Sequence, residues 1–167
     1  MKLLIVGHSY VADLKTLEVK EFQTGGQQVQ VTYIYKRGGS YDTYLGDLSV
    51  FDRITAVQAD VTLVILGGNS ISNNRTNAEI YDSIRKFYTK LRASSPTSRI
   101  AAAQVELRFY NSENRWDCPV GEDYIKRRVA INNFLKRLKL KDNILMISGV
   151  NRLDNQQYYK DFVLEMG

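Results

Sequence analysis

Short apolar runs recur along the chain with stretches of mixed polarity between them. Five read as strands: LLIV at 3–6, VQVTYIY at 29–35, VTLVIL at 61–66, RIAAAQVEL at 99–107 and NILMIS at 143–148. The first and third are apolar at every position, as parallel strands buried on both faces are. The second alternates Val29, Val31, Tyr33 and Tyr35 with polar residues, which predicts an edge strand. Between the strands the period changes to that of a helix. Thr76 and Glu79 stand at capping-box spacing, and Ile80, Ile84, Phe87 and Leu91 follow at spacings of four, three and four. A second helix is predicted over 123–140, with Tyr124, Ile131, Leu135 and Leu138 as its apolar stripe and Lys126, Arg127, Arg128, Lys136, Arg137 and Lys139 around it. Strands alternating with helices imply right-handed βαβ units. The predicted fold is α/β, a three-layer α/β/α sandwich with a five-stranded parallel sheet in the flavodoxin-like order 2-1-3-4-5. No repeat, linker or heptad run divides residues 1–167, which read as a single domain.

Composition narrows the chemistry. With 44% hydrophobic residues, 25% charged residues and two prolines, the chain is globular in character. One cysteine, Cys118, excludes an internal disulfide, and one histidine, His8, leaves too few soft ligands for a zinc site; no metal or other cofactor is expected. No apolar run approaches the ~18 residues of a membrane span, and MKLLIV lacks the apolar core of a signal peptide, so a cytoplasmic or nuclear location is expected and no membrane partner. The net charge of +5 predicts at most weak, salt-sensitive contact with nucleic acid through the basic helix around Lys126 to Lys141, for which a solvated helix face is the plainer account.

Ligands of open α/β sheets bind beyond the carboxyl ends of the strands. There the chain places Gly7, His8 and Ser9 after strand 1, Gly38, Gly39 and Ser40 after strand 2, Gly67, Gly68, Asn69 and Ser70 after strand 3, and Arg108 after strand 4. A serine at a helix start beside backbone N–H groups and an asparagine amide suits acyl transfer through an oxyanion. Arg108 is a candidate for an anionic substrate group, or for pairing with Asp42 or Glu113. Trp116 and Cys118 fall in a predicted loop, and Tyr158 and Tyr159 are candidate pocket walls.

These blocks, GHSYV, RGGSYD and LGGNSI, resemble in order and spacing the SGNH, or GDSL-like, hydrolases, most of all the SGNH-like domains of retrotransposon-encoded proteins, with AINNFLKRL similar to the helix before their last strand. The resemblance implies Ser9 as nucleophile with its own N–H in the oxyanion hole, the N–H of Gly39, or else Gly38, as the second donor, and the Asn69 amide as the third. It implies Ser70 at a position that is usually Asp, and His8 likewise. The family's late Asp-x-x-His block falls on Asp161 and Leu164, so the orienting carboxylate is matched and the histidine is replaced by leucine. The family's terminal helix has no counterpart before Gly167. Three functions follow: a weak or inactive esterase serving as a binding or assembly module for a small acyl or anionic ligand; an active serine esterase whose base comes from outside this chain; or a basic, nucleic-acid-associating domain of a retroelement-like protein. Nothing in the sequence fixes an oligomeric state.

Overall fold

Residues 1–17, 19–72, 75–106 and 122–148 are described by the structure, a computed structural model. In chain order the elements are β1 (Lys2–Gly7), α1 (Ser9–Thr16), β2 (Glu21–Thr24), β3 (Gln27–Tyr35), α2 (Tyr41–Leu45), α3 (Leu48–Val57), β4 (Val61–Ile65), α4 (Gly68–Ser72), α5 (Asn77–Ser94), β5 (Arg99–Ala103), α6 (Glu122–Asp142) and β6 (Leu145–Ile147). The sheet order is β2-β3-β1-β4-β5-β6. Every pair is parallel except β2 with β3. The five predicted strands therefore stand in the expected order, and the fold is the expected mostly parallel α/β sandwich.

A sixth strand was not foreseen. β2 turns back on β3 through Gly25 and Gly26, both at positive φ (55° and 76°), the backbone that a two-residue hairpin requires. The correction reaches β3, which is not an edge strand. Its alternation has another cause: Val29 and Val31 are buried toward α1, while Gln28, Gln30 and Thr32 on the opposite face remain exposed. The Gly-Gly pair between polar residues was the available signal.

Two apolar layers hold the sheet. On one face Val11 and Leu14 of α1 pack with Leu3, Ile5, Val29, Val31 and Leu63. On the other, α2, α3, α5 and α6 cover Leu4, Val6, Val64 and Ala102. Thr76 caps α5 with both halves of its capping box present, and Ile80, Ile84, Phe87 and Leu91 are buried, as are Tyr124, Ile131, Leu135 and Leu138 of α6. No helix among the described residues is long and apolar enough to cross a membrane.

Candidate functional site

Three adjacent strands end level with one another, since Gly7 pairs with Tyr35 on one side and Ile65 on the other. The serine, glycine and asparagine blocks thus share one edge of the sheet. At Gly7 the chain turns directly into α1, and there is no room for a side chain: a Cβ there would stand 2.3 Å from the Ile65 carbonyl oxygen and 2.7 Å from Val11 Cγ2. Its own carbonyl accepts from the Lys36 N–H at 3.0 Å and from the Tyr44 hydroxyl at 2.6 Å. Burial holds that hydroxyl protonated well above the usual tyrosine range.

Ser9 is the half-buried first residue of α1, and His8 caps the helix. The cap is unusual in using imidazole: Nδ1 of His8 accepts the Tyr10 N–H at 3.2 Å. A neutral imidazole whose Nδ1 accepts carries its proton on Nε2. The Nδ1 lone pair is thereby engaged at the helix cap.

In the glycine block Gly38 sits exposed at φ +66°, and Gly39 is buried. The Gly39 N–H, a predicted oxyanion donor, donates to the Lys36 carbonyl at 3.0 Å, closing a turn, and a Cβ at Gly39 would lie 2.8 Å from that same oxygen. Ser40 is the N-cap of α2 and forms a capping box with Thr43. A ligand oxygen at Gly39 would thus compete with Lys36 for its proton.

The asparagine block begins at Gly67. Its φ of +117° and the closeness of Val105, whose Cγ2 would stand 2.6 Å from a Cβ at this position, both demand glycine. Asn69 follows on α4, half-buried, and its Nδ2 donates to the Gly39 carbonyl at 2.8 Å. Two predicted site residues from different blocks are therefore in direct contact. Ser70 is 2% exposed, and its hydroxyl has no hydrogen-bond partner among the described residues, so it faces the interior rather than the open edge. Arg108 and Asp161 lie outside the described residues, as do Glu113, Trp116, Cys118, Tyr158, Tyr159 and Leu164. Asp42, one suggested partner of Arg108, is paired with Arg75 and accepts the Ser83 hydroxyl at 2.5 Å.

Sequence reasoning missed the supports beneath this edge. Asn132, buried at 5% exposure, clamps the backbone of Val105: Oδ1 accepts its N–H at 2.8 Å and Nδ2 donates to its carbonyl at 3.1 Å. Its signal was an amide lodged between the stripe residues Ile131 and Leu135. Arg127 and Arg128 are half-buried and turned inward, Arg128 onto the Val105 carbonyl at 3.3 Å, so only part of the α6 basic set forms a wet face. Lys126, Lys136 and Arg137 are exposed.

No family model matches the sequence, and neither does any curated protein. Solved structures do match in shape. A GDSL-like lipase from Bacteroides thetaiotaomicron superimposes with a TM-score of 0.63 at 12% identity, over 88% of this chain and 67% of that one. A member of the lipolytic G-D-S-L family from Veillonella parvula gives 0.61 at 14% identity, over 89% and 77%. The lipase/acylhydrolase from Enterococcus faecalis gives 0.58 at 13% identity, over 88% and 75%. The fold is that of the GDSL/SGNH hydrolases. In the GDSL/SGNH fold as this chain builds it, the glycine that ends β1, the turn after β3 and the short helix after β4 come together at one carboxyl edge, with the Asn69 amide spanning the last two.

Proposed function

We propose that this GDSL/SGNH-fold chain keeps a serine edge without the base that would activate it, and that it holds a small carboxylate or acyl group there while hydrolysing esters slowly or not at all. One observation carries the reading. The sequence contains a single histidine, and the Nδ1 of its imidazole caps α1. Serine attack needs a proton acceptor within hydrogen-bond reach, and the hydroxyl is a poor nucleophile without one. The retained parts favour binding: Ser9 at the positive end of α1 and the Asn69 amide on α4, just beyond the neighbouring strand, suit an oxygen anion.

The test pairs turnover with binding. The unsubstituted chain and Ser9→Ala are expected to hydrolyse p-nitrophenyl acetate at the same rate, while acetate and butyrate shift the amide resonances of residues 7–11 and the Asn69 side chain. Leu164→His restores the residue missing from the Asp-x-x-His spacing and is expected to raise Ser9-dependent hydrolysis by roughly 10²- to 10⁴-fold, the usual worth of general-base assistance. The Ser9→Ala, Leu164→His double variant should lose that gain. Strong Ser9-dependent turnover by the unsubstituted chain would overturn the proposal.

A further inference from the structure

Asn69 lies on a helix of five residues, α4. So short a helix has almost no stability of its own, and its terminal carbonyls lack intrahelical partners. Something else must hold it in register with Gly39. Ile71 is buried in the core, and a polar tether to the end of α4 comes from α6. Arg127 is half-buried and spreads its guanidinium over three acceptors: Nη1 donates to the Ile71 carbonyl at 3.1 Å, Nε to Asn77 Oδ1 at 3.1 Å, and Nη2 to the Arg75 carbonyl. A cation there also complements the negative end of α4.

The same contact reaches the other partner of the Asn69–Gly39 bond. Arg75, whose carbonyl Arg127 holds, pairs through its own guanidinium with Asp42 of α2, and Asp42 accepts the Ser83 hydroxyl of α5. The helix α2 begins directly after the glycine block, capped by Ser40. Arg127 is thus tied to α4, which carries the donor, and through Arg75 to α2, which anchors the acceptor's turn. A lysine presents one compact ammonium in place of a planar fork and cannot cover the three acceptors together.

We infer that Arg127 is the positioning residue of the candidate site: it fixes the Asn69 amide against the Gly39 carbonyl by closing the carboxyl end of α4. The inference rests on reading Asn69 as a site group. Its test uses neither ester nor ligand, so its failure is distinct from failure of the binding proposal.

Two readouts apply, the side-chain amide resonances of Asn69, identified as the pair lost in Asn69→Asp, and hydrogen exchange at the Ile71 amide, which bonds the Gly67 carbonyl at 3.2 Å. The control is Arg92→Ala, which removes another guanidinium-to-carbonyl contact (Nη1 to Ser98 O, 2.6 Å) near the start of β5, at the far end of the sheet. Arg127→Ala is expected to move the Asn69 resonances and to speed Ile71 exchange on the order of tenfold or more, the loss of a charge-assisted hydrogen bond. Arg92→Ala should lower stability and leave both readouts unchanged. Arg127→Lys and Asn77→Ala, milder lesions that keep the fold if Arg127→Ala does not, should give partial shifts in the same direction. Unchanged Asn69 resonances in the Arg127 variants, or equal changes in Arg92→Ala, would overturn the assignment.

Discussion

Two glycines of the site edge look alike in the sequence and differ in what they do. At Gly7 a methyl group would collide with fixed backbone, the Ile65 carbonyl at 2.3 Å, so Gly7→Ala must push β1 and β4 apart. At Gly38 nothing lies within 4 Å of the same methyl, and the cost is only that of holding an L-residue at φ +66°. In urea denaturation Gly7→Ala is expected to lose about 3 kcal/mol, the upper end of the usual range for overpacked sites, against about 1 kcal/mol for Gly38→Ala. A larger loss at Gly38 would contradict this ordering. At this scale the sequence was informative about which residue types end the strands and silent about which atoms they would meet. The chemistry of Asn69 could be read from its block, whereas its bond to Gly39, 30 residues away, depends on the register of β3, β1 and β4.

Among the elements, α5 and α6 were legible because their apolar residues recur with the helical period and the Thr76 and Glu79 signal marks a start. The short helices α2, α3 and α4 were not marked out, since five to ten residues give the period little room. β2 was missed for a related reason: only Phe22 of its four residues is buried, so no apolar run announces it. The polar residues of α6 were read as a solvated face, and the structure turns several of them into fasteners. Asn132 is the clearest. Asn132→Leu keeps the branched skeleton and leaves the Val105 N–H without its acceptor, while the Val105 carbonyl keeps the Arg128 guanidinium; a buried polar group left unmade costs about 1 to 3 kcal/mol. The expected loss is therefore roughly 1 to 3 kcal/mol in urea denaturation, and Asn133→Leu on the exposed side of the same helix should change stability by less than about 0.5 kcal/mol. Equal losses would show that the clamp is idle.

Over the whole molecule, pH reads the contrast between core and rim. Tyr41 and Tyr88 share a buried hydroxyl contact of 3.2 Å beneath α2 and α5, and burial raises both above the usual tyrosine value of 10.0. Groups whose pKa rises on folding contribute stability that is complete below their unfolded value and declines above it. Stability should hold up to pH 10 and fall beyond it, and Tyr88→Phe should weaken that alkaline slope. Asp47 works in the opposite sense. Its hydrogen bond from Lys36, with a second from Ser49, draws it down to about 2. Its contribution is present above pH 4 and is lost as the pH drops from there toward 2. Because the pair is about one-third exposed, the acid slope should be shallow and diminished by salt. Urea midpoints across pH, with Tyr88→Phe and Asp47→Asn beside the unsubstituted chain, measure both limbs; an alkaline slope untouched by Tyr88→Phe would refute the first.

The Gly25–Gly26 hairpin also bears on the order in which the sheet assembles. Each parallel pair needs a crossover through a helix before its strands can meet, and loop closure makes such contacts slow. β2 and β3 meet across two residues. A hairpin of this kind closes in about 1 to 10 μs, far ahead of any crossover. β3 can then enter the sheet already paired along one side, with Val29 and Val31 presented together to β1 and α1. The strand that lengthens the sheet by one is thus also its most local pairing, the contact with the least loop to close.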